Sequence, residues 1–388
     1  MGGLMEIKNY TKYLIIGFLV FGFILSPSFL QAEDENKAYQ FTVTHEVKHT
    51  PVKDQARTGT CWCFSTVSFM ESEAMRLGAD AMDLSEMFIV NYNYRKKAEN
   101  YVRMHGTANF GQGSLSHDAM GRFREKGIVP ESVYDGLRLG KDYHDHSEMF
   151  RVLKGIVDGV VSSRRPTIQW KAAFEGALNA YLGTPPESFE YEGQTFTPHS
   201  FAEEKVLINP DHYVELTSYT YAPFYDKCVL RVPDNWIYND DFYNVPLDDL
   251  EKLVDYALEN GFSVVWDGDV SEKTFSSRDK GYAILPEKEV PDEITEPVEE
   301  MEVTQANRQE TFDSYTTTDD HLMHIVGLAK DQNGSIYYYI KNSGGVEGIY
   351  DGYLFMSKPY FRMKTTAVMV HQDALPPALK QKLDLPQK

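Results

Sequence analysis

The chain has 388 residues, a formal charge of −20 at neutral pH, 42% hydrophobic residues and 25% charged residues. That length suits one large domain or two lobes at roughly 100 to 200 residues per domain, and the composition excludes a mainly disordered chain. The acidic balance works against nucleic acid and anionic membranes as partners and favours solubility.

The first 32 residues combine a weakly basic start (Lys8, Lys12), an apolar run from Tyr13 to Leu25 and a small, polar close ending at Ala32. The run is shorter than the roughly 20 apolar residues a bilayer requires, so it reads as a secretory signal peptide, with an uncleaved N-terminal anchor as the alternative. Export, to a periplasm or beyond, is therefore expected. Removing two lysines and one glutamate with this segment changes the charge from −20 to −21. Exported chains usually carry disulfides, but Cys61, Cys63 and Cys228 are too few for a framework and odd in number. A free thiol in such a chain is a candidate reactive group. Cys-x-Cys without a second pair lacks zinc spacing, so neither a metal nor an organic cofactor is implied.

Residues 41–48 alternate loosely and pass for a strand leading into Gln55-Ala-Arg-Thr-Gly-Thr-Cys61-Trp-Cys-Phe-Ser65. Phe64, Val67, Met70, Ala74 and Leu77 then recur at helical spacing up to Gly78, which puts Cys61 in the first turn of an amphipathic helix. Unpaired N–H groups and the positive helix end favour a thiolate there. The bland alternative is that Cys61 merely packs, as free cysteines commonly do. Cys63 lies about 200° further round the helix and is expected in the core.

The Gln55-x5-Cys61-Trp62 segment with Phe64-Ser65 resembles the nucleophile segment of papain-like cysteine peptidases. The resemblance implies that the Gln55 amide and the Cys61 N–H form an oxyanion hole, and that Trp62 adjoins the substrate groove. It departs at Thr58, Thr60 and Cys63. Next, Asp83-Leu84-Ser85-Glu86 offers a cap for a second helix, and Gly111-Gln112-Gly113-Ser114 precedes a third that stops at Gly127. Gly111 and Gly113 approximately match the family's glycine stretch beside the nucleophile, which implies substrate binding. A loop needing positive φ is the alternative for each. His117 is taken as a surface or packing residue.

From about 140 to 290 the chain exceeds a minimal papain-like enzyme, with helical or mixed segments at 156–161 and 170–182. Leu182-Gly-Thr-Pro-Pro186, the following Thr197-Pro198, Tyr243-Asn-Val-Pro246, Gly261 and Asp269-Val270 resemble the bleomycin hydrolase or aminopeptidase C branch. Residues 249–259 form an amphipathic helix, 262–266 a strand, and 227–232 a strand carrying an inert Cys228. Eight acidic residues and three prolines between Pro286 and Glu302 mark a solvated connector.

Asp331-Gln-Asn-Gly334 signals a tight turn between strands beginning near His321 and ending near Lys341. The hairpin carries His321 and Asn342 to one end. Asp320-His321-x-Met323-x3-Gly327 resembles the family's histidine segment, and Asn342-Ser343 its asparagine segment. The resemblance implies that His321 moves the proton of Cys61 and that Asn342 orients the imidazole. His324 competes, but a two-residue period puts it on the opposite strand face. Gly344 stands where the family usually has tryptophan, and Trp266 or Tyr350 is a candidate replacement cover.

The expected fold is thus α+β and papain-like. A helical lobe (about 50–140) faces a β-rich lobe (about 303–375), with mostly helical insertions over about 140–290 and the connector 286–302 between. The expected function is a cysteine peptidase, an aminopeptidase by resemblance; the branch also implies a ring-shaped hexamer and a C-terminal arm in the groove. After Pro377 the chain leaves only a short arm, so an endopeptidase with an open cleft stays in play, as does a secreted peptide-binding protein with weakened catalysis.

Overall fold

The computed structural model describes residues 38–386. The expected signal peptide over 1–32, and the C-terminal Lys388, lie outside them. Helix α1 (Cys61–Arg76) is the centre of the packing. Its periodicity suggests one buried stripe, but every residue from Cys61 to Ala74 is buried, while Leu77 is 40% exposed. The reason is that α1 lies between two layers. On one side are α2 (Glu86–Arg103), capped by the Ser85 hydroxyl on Phe88 N–H, and α3 (Ser116–Lys126); on the other is the sheet. Further out, α4 (Ser147–Ser162) and α5 (Trp170–Leu182) pack on each other and on α2.

An 11-stranded, mostly antiparallel sheet runs through the described residues. Its centre is the order Thr365–His371, Val264–Gly268, His321–Lys330, Ile336–Lys341 and Tyr353–Ser357, with Thr42–Glu46 also pairing the His321 strand. Strand alternation sorts side chains between two cores. Val265, Leu322, Ala367 and Met369 join the α1 core, whereas Val264, Trp266, Met323, Ile325, Val368 and Val370 join a second core under the 247–259 helix. Strands at 213–217, 242–244, 264–268 and 275–276 all belong to this sheet. The β-rich part therefore starts well before residue 303, and only 147–206 is a mainly helical insertion, because the pairing edges of the sheet are completed by distant segments.

The hairpin forms as its turn chemistry dictates. Asp331 Oδ1 accepts from the N–H groups of Asn333 and Ser335, and Gly334 takes φ +88°. Gly327 has a different cause: a Cβ there would lie 2.2 Å from His45 O, so the crossing Thr42–Glu46 strand requires glycine. The acidic connector is held by Glu300, whose carboxylate accepts from Leu285 N–H and the Ser357 hydroxyl.

Candidate active site

Cys61 opens α1 after Thr60, whose carbonyl accepts from Cys63 and Phe64 N–H. Leu322, the residue following His321, comes near enough for its backbone N–H to favour the Cys61 thiolate, which puts the thiol near the start of the histidine strand. Burial, the largest effect, pushes the thiol up to about 12; the Leu322 N–H opposes this, and Asp319, Asp267 and Asp234 add to it. The expected thiolate-favouring environment is therefore not what the free protein has. Desolvation and neighbouring carboxylates both disfavour ionisation of the thiol.

His321 begins its strand and Asn342 follows the partner strand, so the hairpin delivers them together as the turn signal implies. His321 Nε2 lies 2.8 Å from Asn342 Oδ1. The same oxygen accepts Ser343 N–H at 2.8 Å, and that backbone donor identifies it as the carbonyl end of the amide. The imidazole then carries its proton on Nε2, leaving the Nδ1 lone pair available as a base. Burial lowers the His321 pKa below 6.5 more than the Asn342 bond raises it, so the ring is neutral at pH 7.

Gln55 is fixed from both chain segments. Its N–H donates to Ser343 O at 2.9 Å, its Oε1 accepts Ser343 Oγ–H at 2.7 Å, and one Nε2–H goes to Thr58 O at 2.8 Å. An amide has two such hydrogens, so one is left for a ligand. Ser343 is the residue that sequence reasoning passed over. Its only signal was its place after Asn342, yet it touches both Gln55 and Asn342.

His324 is fully buried and bonds Ser68 Oγ at 2.9 Å, two helical turns or about 10 Å along α1 from Cys61. It is not the base. Beside it Lys341 donates to Thr50 and Ser68, a buried polar strut adjoining Asn342. His117 is neither a surface residue nor simple packing: Glu215 accepts from its Nδ1 at 2.9 Å and raises its pKa to about 9, although burial opposes the charge.

Two expected substrate contacts need correction. Trp62 is 0% exposed, and its indole N–H donates to Gln112 O at 3.0 Å. It fixes the glycine loop and cannot touch substrate, because its position on α1 turns it into the core. Gly113 has no positive φ; a Cβ there would come within 1.8 Å of Asp234 Oδ2, so the carboxylate already covers it. Gly111 also lacks positive φ and is crowded only by Asn109, at 3.5 Å.

Gly344 leaves the His321–Asn342 pair open. No heavy atom lies within 4 Å of a Cβ built there, and a cavity of about 780 Å³ is lined by Gln55, Tyr143, Arg278, His321, Asn342 and Gly344, among others. Neither candidate cover fills it. Trp266 is buried in the second core, bonded to Thr365, and Tyr350 packs on Phe41 and Phe355. Tyr143, from the segment between α3 and α4, is the aromatic present.

The sequence profile of papain family cysteine proteases matches residues 39–240, and that of the peptidase C1-like family matches residues 167–387, each more than half of the chain. The chain belongs to the papain family. Among papain-type relatives, aminopeptidase G of Lactobacillus delbrueckii subsp. lactis is 22% identical, over 84% of this chain and 81% of its own. Bleomycin hydrolase of Rattus norvegicus is 23% identical, over 87% of this chain and 83% of its own. The crystal structure of PepW from Lactobacillus rhamnosis HN001 shares the fold at a TM-score of 0.70 and 17% identity, covering 88% of this chain and 84% of that one. The papain-family chain described here is thus a cysteine peptidase of the bleomycin hydrolase and aminopeptidase C branch.

Proposed function

We propose that this enzyme removes residues from the N-terminus of peptides through a thioester on Cys61. His321 Nδ1 takes the thiol proton as Sγ attacks the carbonyl carbon. The remaining Gln55 Nε2–H and the Cys61 N–H hold the oxyanion, and His321 returns the proton to the departing amine. Water then cleaves the thioester with His321 again as base. Neutral His321 is the required starting form, and its lowered pKa supports that.

One observation carries the exopeptidase reading. The amine departs on the side of His321, Asn342 and Gly344, where the cavity is open; the acyl side runs toward Gly113, where Asp234 already sits. A groove open for the leaving chain and filled for the acyl chain suits a substrate with little before its scissile bond. Names of relatives, aminopeptidase G and bleomycin hydrolase, agree. Mass spectrometry of a peptide digested with and without an acetylated N-terminus tests it: stepwise N-terminal loss from the free peptide alone is expected, and internal cuts in both would favour the endopeptidase reading.

Gly344 favours the rival of a peptide binder with weak catalysis, since water reaches the His321–Asn342 bond. The Gln55, Cys61, His321 and Asn342 set argues for turnover. Export is inferred from the N-terminal pattern alone and is tested by fractionation and N-terminal sequencing of the mature chain. A hexamer is the assembly suggested by the branch, to be checked by light scattering.

A further inference from the structure

A second cavity, of about 340 Å³, opens between α2, α3 and α5 and shares no lining residue with the catalytic one. Its size is that of a small-molecule site, roughly 300 to 1,000 Å³. Five cationic and three acidic side chains line it, a surplus of two positive charges in a chain whose formal charge is −20. The acids are all taken. Glu175 pairs with Arg95, Glu99 accepts from Lys171 Nζ at 2.7 Å, and Glu125 Oε1 serves both Lys96 and Arg122.

Two cations of α3 are left over. Arg122 is 7% exposed; its Nη2 donates to Glu125 at 2.9 Å, while its buried Nε and Nη1 have no acceptor among the described residues. Buried guanidinium donors are ordinarily filled, so this side chain lacks an acceptor at the cavity wall. Lys126 lies four residues on and therefore on the same face of α3. It has no carboxylate partner among the described residues, and its Nζ rests 5.2 Å from the centre of the Tyr92 ring. Trp170 and Phe174 add further aromatic wall.

We propose that this cavity binds a small organic anion, with a carboxylate or phosphate group between Arg122 and Lys126 and a flat apolar body against Tyr92 and Trp170. The oxyanion supplies the acceptor that Arg122 lacks and offsets the surplus charge. The aromatic walls give the body contacts that a bare inorganic ion cannot use. Thioester chemistry at Cys61 calls on none of these residues, so the ligand is distinct from the peptide being cut.

The test is isothermal titration calorimetry of the full-length protein with benzoate, phenyl phosphate, inorganic phosphate and the neutral benzamide. Saturable binding of one benzoate or phenyl phosphate per chain is expected, and the tighter of the two names the head group. Arg122→Gln is expected to weaken that binding about tenfold or more, as for a lost hydrogen bond to a charged group, and Lys126→Glu by a similar factor through the reversed charge. Should Arg122→Gln not fold, Lys126→Glu, an exposed substitution, decides. Benzamide binding as tightly as benzoate, or inorganic phosphate as tightly as phenyl phosphate, would overturn the assignment. So would an affinity unchanged in the folded variants, or no saturable binding of either aromatic anion.

Discussion

The Ser343 hydroxyl donates to Gln55 Oε1 at 2.7 Å, joining the residue after Asn342 to the candidate oxyanion donor 288 positions earlier. That bond turns the amide so that its nitrogen faces away from Ser343. Ser343→Ala is expected to lower kcat about tenfold with little change in KM, since the donor remains but is less well aimed. Gln55→Ala, which removes the donor, is expected to cost about 100- to 1,000-fold. Steady-state kinetics on both variants checks the order; wild-type turnover in Gln55→Ala contradicts it.

Gly344→Trp is expected to fold, because the position lacks positive φ and faces open space. The indole would fill part of the cavity beside His321 and Asn342 and exclude water from their bond, which strengthens it. Turnover of substrates with a small leaving amine should rise, by a few-fold on the order of 1 kcal/mol. Long leaving peptides should lose affinity. The comparison is a matched pair of short and long substrates.

Burial lowers the His321 pKa below its ordinary 6.5, and the Asn342 bond opposes the shift. A base with a lowered pKa stays unprotonated, and competent, as pH falls through 6.5. The acid limb of kcat/KM for a peptide with a free N-terminus should therefore lie below pH 6.5. Asn342→Ala should reduce activity and move the limb further down, because it removes the bond that favours the protonated ring. A limb above 6.5 would contradict the burial of the base.

His117 and Glu215 give a stability prediction with the opposite sign. The folded pKa of His117, raised to about 9, lies above the ordinary 6.5, so its stabilising contribution is fully present below pH 6.5 and is lost as pH rises through 9. At 1.36 kcal/mol per unit the contribution is on the order of 3 kcal/mol. Urea midpoints at pH 6 and pH 9.5 should differ more for wild type than for His117→Gln.

Much of this was legible before any coordinates. The helix after Cys61, the Asn333-Gly334 turn and the offset of Gly327 are local patterns, and local patterns put Cys61 at the head of α1 and brought His321 to Asn342. What was not legible depends on partners far apart in sequence. Nothing in the Trp62 neighbourhood says that α1 is packed on both faces, nor that Asp234, from the loop between 228 and 242, would cover Gly113. The thiol environment went the other way for the same reason: a helix end is visible in sequence, whereas carboxylates from the distant residues 234, 267 and 319 come near Cys61 only in the fold.

The central claim is that Cys61 is the nucleophile and His321 its base. The direct measurement is peptide mapping by mass spectrometry after reaction with a thiol-directed epoxide at neutral pH, in wild type and His321→Ala. One label per chain on Cys61, slowed at least tenfold by the substitution and absent from the buried Cys63 and Cys228, is the predicted result. Equal labelling of all three cysteines, or a Cys61 rate indifferent to His321, would contradict it.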